Sequence, residues 1–394
     1  MKKFYILLIT IFTTNIANAQ WVQTSLNHGQ VISLISSDSI IFACSWSGGI
    51  YVSSDNGNSW SALNNGLTNI HVRTLAISGN NFFAGTDGGV FISSNNGGSW
   101  TVMNNGLPAN TIITKLAIND SNIFAGTYKN GVYLSSDNGN NWTAVNTGLT
   151  DTIIRSLAIS GTSIFAGTNG GVFLSNNNGN SWAAINTGLT DTNIRSLIIS
   201  GTNIFAGTET CNIFLSTNNG NNWIAANTGL TGVVVSSFAI TGNNIFAGTA
   251  YSTAYGSGGV FLSTNNGSNW TFVNTGMADS VISLLIKDNY IFAGTLGGVW
   301  RRPLSDFGIY SNIKENTLNN NISIYPNPTK DNLTIETNLN TPQKLEISTL
   351  MGQTIYTYYI YNKATINTSA FANGVYILKI YSDKETIVRK FIKE

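Results

Sequence analysis

A block of about 40 residues recurs from Val31 to Trp300, and this recurrence restricts the fold more than any other feature. One copy reads Ile164-Phe165-Ala166-Gly167-Thr168, then Gly170-Gly171-Val172-Phe173-Leu174-Ser175, then Asn177-x-Gly179-x-x-Trp182, then Asn186-Thr187-Gly188-Leu189. Trp60, Trp100, Trp142, Trp182, Trp223 and Trp270 mark successive copies, mostly 40–42 residues apart. At such a period each copy is one supersecondary unit that buries its faces only against its neighbours.

Each copy holds four β-like runs. In the fourth they are Ile154–Ser160 (strand A), Ser163–Thr168 (B), Gly171–Ser175 (C) and Ser181–Ile185 (D), separated by Gly and Asn clusters that suit hairpin turns. Four antiparallel strands per 40 residues is the signature of a β-propeller blade. The Phe-Ala-Gly-Thr strand starts at Phe83, Phe124, Phe165, Phe205, Phe246 and Phe292, with a degenerate copy at Phe42-Ala43-Cys44-Ser45, which predicts seven blades. The seventh copy ends at Trp300 without a strand D, whereas Trp21-Val22-Gln23-Thr24-Ser25-Leu26 reads like Trp142-Thr143-Ala144-Val145-Asn146-Thr147. The N-terminal segment is therefore expected to complete blade seven, closing the ring and removing exposed sheet edges.

Charge narrows the function. Of 394 residues only 9% are charged and the net charge is +1, which argues against a nucleic-acid binder with clustered Lys and Arg. Lys2-Lys3, the apolar run Phe4–Phe12 and Ala17-Asn18-Ala19 read as a secretory signal peptide (residues 1–19), leaving Gln20 as the mature N-terminus. No later run is long and apolar enough to read as a transmembrane segment. Export permits a disulfide, but Cys44 and Cys211 lie in copies one and five, too distant for the required geometry. The histidines are His28 and His71, so no Cys/His metal cluster can be read and no cofactor is expected.

Beyond Asp306 the periodicity stops. Residues 307–320 read as a polar linker, and 321–394 as a small β-sandwich with strands at 332–336, 344–348, 354–360, 375–381 and 386–392. The chain is thus expected to be all-β: a seven-bladed propeller over 20–306 with N-terminal strand closure, plus this second domain.

Ser53-x-Asp55-x-Gly57-x-x-Trp60 and Ser135-x-Asp137-x-Gly139-x-x-Trp142 resemble the Asp-box, or BNR repeat, of sialidase-like propellers. Four copies keep the spacing with Asn95 (before Trp100), Asn177 (before Trp182), Asn218 (before Trp223) and Asn265 (before Trp270). These side chains are read as clasps of an Asx-turn, with Trp packing back onto the hairpin. Asn cannot transfer a proton, so the exchange of Asp for Asn excludes acid catalysis as the common purpose. The resemblance to sialidases implies an Arg triad, a Tyr–Glu nucleophile pair and an Asp acid/base. The early Arg-Ile-Pro motif is absent, and the repeats hold a single glutamate, Glu209. Arg73, Arg155 and Arg195 share one register of strand A just inside one mouth, where Arg suits carboxylate binding. Glycosidase propellers of the xyloglucanase kind also carry Asp-boxes but typically use two propellers.

Antiparallel order puts the Asp-box turns on one face and the B–C and D–A loops on the other. The B–C loops are where the copies differ most: Trp46 and Asp87, then Tyr128 with Lys129, then Glu209, and an insertion carrying Tyr251 and Tyr255. Variable loop aromatics suit stacking on sugars or capping a protein.

The C-terminal residues resemble the type A sorting domain of the type IX secretion system of Bacteroidetes. The resemblance rests on Tyr325-Pro326-Asn327-Pro328, on Leu350-Met351-Gly352-Gln353, on Asn373-Gly374-Val375-Tyr376 and on a last strand with Lys390. It implies handling by that secretion machinery, passage across the outer membrane, and release or surface attachment. Together these readings predict an exported propeller that recognises an extracellular glycan or protein without catalysis. A glycoside hydrolase or lyase, and a structural surface or matrix protein, are the alternatives.

Overall fold

The computed structural model describes residues 20–210, 212–230, 234–250, 258–309, 322–337, 341–349, 353–381 and 386–394. The expected signal peptide, Cys211, Tyr251, Tyr255, Gly352 and most of the expected linker lie outside the described residues. Contacts divide the chain into two compact units, residues 1–309 and 310–394.

Seven four-stranded antiparallel sheets build the first unit. Their first strands are Val31–Ser37, Val72–Ser78, Ile113–Asn119, Ile154–Ser160, Ile194–Ser200, Val234–Thr241 and Val281–Lys287, here strand A of blades 1 to 7. Each strand A packs against the next, and that of blade 7 packs against that of blade 1, so the array is a closed ring with strand A innermost. Strand B carries Phe-Ala-Gly-Thr, and every residue from its Phe to its Thr is buried. Its glycine is required by close approach: a Cβ at Gly207 would stand 2.5 Å from Val235 of the next blade. Blade 1 carries Cys44 there instead, free, buried and packed in one cluster with Val72. Burial pushes the Cys44 thiol up to about 12, which keeps it protonated at neutral pH.

The N-terminal strand Val22–Gln23 pairs antiparallel with Gly298–Pro303, as strand D of blade 7. Trp21 then repeats what the internal tryptophans do. Its backbone N–H donates to Thr275 O (2.9 Å) and its indole Nε1 to Val273 O (2.9 Å). The Trp270 pair is Thr228 O (2.8 Å) and Ala226 O (2.8 Å).

Two expectations are corrected here and one is extended. The tryptophans share clusters with strand C of their own hairpins, as Trp142 does with Tyr133, and also reach beyond them. Trp100, Trp142, Trp182, Trp223 and Trp270 donate from Nε1 to a carbonyl of the preceding blade (Leu63, Met103, Val145, Ile185, Ala226), so each is a bolt between blades. For that reason strand D is shorter than read: in blade 4 it is Ala183–Ala184, because the Trp182 amide is taken by Thr147 of blade 3. The propeller also runs past Asp306. Pro303 is followed by a 3-10 turn, Leu304–Phe307, and Leu304 and Ile309 are buried in the core of blades 6 and 7.

The second unit is a sandwich of two sheets. One orders Ile322–Tyr325, Asn332–Thr337 and Lys363–Asn367; the other orders Thr354–Ile360, Gln343–Thr349, Gly374–Tyr381 and Thr386–Lys393. Alternate residues of both, including Leu333, Ile335, Leu345, Ile347, Leu378 and Phe391, form one buried core. Strands Ile322–Tyr325 and Lys363–Asn367 were not among those read from the sequence.

Candidate functional site

The site begins with an irregularity shared by every blade. The A–B register slips near the start of every strand A: Val31/Ser33, Val72/Thr74, Ile113/Lys115, Ile154/Ser156, Ile194/Ser196, Val235/Ser237 and Val281/Ser283. A β-bulge re-aims the residue it leaves unpaired. Those residues are Ile32, Arg73, Thr114, Arg155, Arg195, Ser236 and Ile282.

Fourteen residues later, the B–C turn brings a second side chain to the same end of each blade, as in the Arg73–Asp87 and Arg155–Asn169 pairs. The seven pairs are Ile32/Trp46, Arg73/Asp87, Thr114/Tyr128, Arg155/Asn169, Arg195/Glu209, Ser236/Ala250 and Ile282/Leu296. Blades 2 to 5 are therefore polar or cationic at this mouth, blade 6 is mixed with Ser236 and Ala250, and blades 7 and 1 are apolar. A cavity of about 380 Å³ opens here, lined from six blades by residues including Ile32, Lys115, Arg155, Arg195, Glu209, Ser236, Ala250, Ile282 and Leu296. That is the lower end of the size range of ligand pockets.

Of the residues singled out from sequence, Arg155, Arg195 and Glu209 line this cavity. Arg195 and Glu209 form an ion pair, each side chain one-third exposed. Burial, and next the Arg155 charge, push the Arg195 guanidinium down to about 10, still cationic at neutral pH. Arg73 sits apart from the lining. It pairs with Asp87 and lies with Cζ 4.2 Å from the Trp46 ring. On Trp46 the His71 ring also stacks, centroids 5.1 Å apart and planes 6° off parallel. Tyr128 is an exposed aromatic, with Lys129 Nζ at 5.5 Å and Arg155 Cζ at 5.7 Å from its ring.

Sequence reading missed Lys115 and the apolar wall of Ile32, Ile282 and Leu296. Lys115 is half-buried and lines the cavity. Enclosure by protein pushes its ammonium below the ordinary lysine value. The signal was present: at this position the other copies carry Ser33, Thr74, Ser156, Ser196, Ser237 and Ser283.

The opposite face is uniform. In all six boxes the Ser Oγ accepts the Gly amide four residues on: Ser53, Ser93, Ser135, Ser175, Ser216 and Ser263. Asp55, Asn95, Asp137, Asn177, Asn218 and Asn265 each accept a backbone amide through Oδ1 at 2.9–3.0 Å. Trp60 is half-buried and donates to Thr24 Oγ1 at 3.2 Å. Among the described residues no group of three or more His, Cys, Asp or Glu is placed to hold a metal ion. Likewise, none of their helices is long and apolar enough to cross a membrane.

In the second unit, Tyr325, Pro326, Asn327 and Pro328 are exposed, and the hydroxyl of Tyr325 donates to Glu336 at 2.6 Å. Asn327 ties this motif to the last strand: its Oδ1 accepts the Ile392 amide (2.9 Å) and its Nδ2 donates to Lys390 O (3.2 Å). Tyr376 is buried, stacks on Phe391 and donates to Ala372 O at 2.8 Å, whereas Gly374 and Lys390 are exposed. Residues 323–394 match the family model for secretion system C-terminal sorting domains. This unit is a secretion-system sorting domain. The sorting domain accompanies a propeller of which residues 116–238 match the DUF6242 beta propeller domain.

No curated protein sequence matches the chain. Solved propellers do, at low identity. The extracellular domain of the putative one-component system BT4673 from B. thetaiotaomicron superposes with TM-score 0.60 and 13% identity, over 95% of this chain and 59% of that one. YCF48 bound to D1 peptide gives 0.58 and 15%, over 72% and 96%. The GH74 xyloglucanase from Xanthomonas campestris gives 0.57 and 14%, over 81% and 59%. These likenesses establish a propeller architecture. With the sorting domain, they describe a secreted or cell-surface propeller protein.

Proposed function

We propose that the exported propeller binds an extracellular glycan or protein at the mouth formed by the B–C and D–A loops, without chemistry. The observation that carries this reading is the distribution of differences among the blades. At the Asp-box end six turns repeat the same bonds, whereas at the other end the seven bulge-and-loop pairs are all different. A fold needs the first kind of residue in every copy, and a ligand needs the second. Trp46 and Tyr128 add exposed or half-buried aromatic surface beside cations, a combination suited to recognition.

The lining favours binding over hydrolysis. Among the described lining residues Glu209 is the one carboxylate, and it is engaged with Arg195. Two-carboxylate glycoside hydrolysis requires a positioned pair. That one structural neighbour is described as bound to a peptide lends weight to a protein ligand.

A screen of the full chain against glycan arrays and purified extracellular proteins tests the proposal. We expect a ligand whose retention falls when Trp46→Ala, Tyr128→Ala, Tyr251→Ala and Tyr255→Ala are combined, while circular dichroism and melting stay unchanged. Release of product from the glycans, or full retention by the combined variant, would overturn it.

A further inference from the structure

This inference rests on the reading of the mouth as the binding site and concerns the chemical group that enters it. Three blades offer an Arg from the bulge. In blades 2 and 5 the residue fourteen positions on is a carboxylate, and both Arg73–Asp87 and Arg195–Glu209 are ion pairs. Blade 4 departs from that rule. Its partner is Asn169, whose Oδ1 accepts from Arg155 Nε at 3.2 Å but brings no negative charge. Among the described residues the guanidinium has no carboxylate partner, and its charge is felt by Arg195.

Lys115 is the second departure. The hydroxyls at its position in other blades tie neighbouring strands together. Leu34 N donates to Ser283 Oγ at 2.9 Å, Leu197 N to Ser156 Oγ at 3.0 Å, and Ser196 Oγ donates to Val235 O at 2.9 Å. A lysine has no oxygen for the next blade, so blade 3 gives up this link. In exchange it places an ammonium in the cavity, with no hydrogen-bond or ion-pair partner among the described residues. Two enclosed cations without counter-charges are unfavourable unless something compensates them. On the far side of the ring, blades 7 and 1 present Ile282, Leu296 and Ile32 to the same cavity.

We propose that the cavity binds a carboxylate carried on an apolar body, with Arg155 and Lys115 holding the carboxylate and Ile32, Ile282 and Leu296 covering the apolar part. The ligand's carboxylate takes the place that Asp87 and Glu209 fill in blades 2 and 5. Arg and carboxylate form strong charge-assisted bonds, and exclusion of water by the apolar wall strengthens them. A hydroxylated sugar acid meets the cations but not the wall. Two sources carry the required chemistry: a medium-chain fatty acid, and a peptide C-terminus ending in an apolar residue.

Isothermal titration of the full chain with octanoate and with N-acetyl-leucyl-leucine separates the sources, against octan-1-ol and the dipeptide amide as neutral controls. At least one carboxylate is expected to bind at least about tenfold more tightly than its neutral analogue, and more weakly as salt is raised. Lys115→Ser installs the residue that other blades carry, so the fold is retained; Arg155→Gln keeps length and hydrogen bonding without charge. Each should lose roughly tenfold or more in affinity. The proposal falls if neither carboxylate binds, if the neutral analogues bind equally, or if both variants bind like wild type. If the aromatic variants lose a ligand found by screening while Lys115→Ser and Arg155→Gln retain it, the mouth remains the binding site and the carboxylate inference fails.

Discussion

Asp55 and Asn95 do the same work with different chemistry. Asp55 accepts the Ser59 amide through Oδ1 (2.9 Å) and the Ser59 hydroxyl through Oδ2 (2.6 Å). Asn95 accepts the Ser99 amide through Oδ1 (2.9 Å) and donates to the Ser99 hydroxyl through Nδ2 (3.1 Å). Only the direction of one bond differs, because a hydroxyl can donate or accept. Bonds from the Ser59 hydroxyl and amide, then from Ser53, hold the Asp55 carboxyl down at about 2, and Asn141 with Ser135 lower Asp137 in the same way. A carboxyl so depressed contributes stability that is present above the ordinary aspartate value and lost as pH falls through the folded value. The Asp55→Asn/Asp137→Asn variant should therefore melt like wild type at pH 7. Between about pH 4 and pH 2 it should lose stability less steeply than wild type. Melting followed by circular dichroism across that range checks it, and a clear loss at pH 7 would show that these turns need the charge.

At the scale of the element, ring closure depends on a strand of two residues. Backbone bonds of Thr24 and Leu26 to Val299 hold the segment to blade 7, and Trp21 bolts it to blade 6: it is 2% exposed and bonds that blade through both N–H groups. Trp21→Ala is expected to cost roughly 3–5 kcal/mol in denaturant unfolding, as Trp142→Ala should for an internal blade. A much smaller loss for Trp21 than for Trp142 would mean that the ring does not rely on this fastening. Closure was readable because Trp21 copies an internal pattern. Strands A to C were readable because apolar residues alternate within Gly- and Asn-bounded runs. Strand D was overread, since a sequence cannot tell that the Trp182 amide turns to another blade. Lys363–Asn367 was missed because Ile366 alone among its five residues is fully buried, too little for a period. At the mouth, Arg155 and Arg195 were readable from shared register. Lys115 was not, because a single departure from Ser or Thr looks like drift until the hydrogen bonds between blades show what the hydroxyl does elsewhere. Ile32 and Ile282 were not singled out, because an apolar residue in a strand carries no mark of facing a cavity until the bulge re-aims it.

For the whole molecule, the two units divide the labour by surface chemistry. Many of the propeller's few charges lie at the mouth and in the turns, with the part-buried Arg302–Asp306 pair an exception, whereas the sorting domain displays Lys344–Glu346 and Lys363–Glu336 pairs on its sheets. Those exposed pairs add little stability, so burial of its alternating Leu and Ile residues must hold the sorting domain together. Exposed residues of this domain, Tyr325 to Pro328 among them, are available for recognition by export machinery. Deleting residues 323–394 should leave the propeller unexported in cells that surface-display or release the full chain. Protease added to intact cells should then digest the full-length protein and spare the truncated one, and circular dichroism of the truncated protein should retain the propeller's β signal. Equal digestion of both would mean that export is directed from elsewhere in the chain.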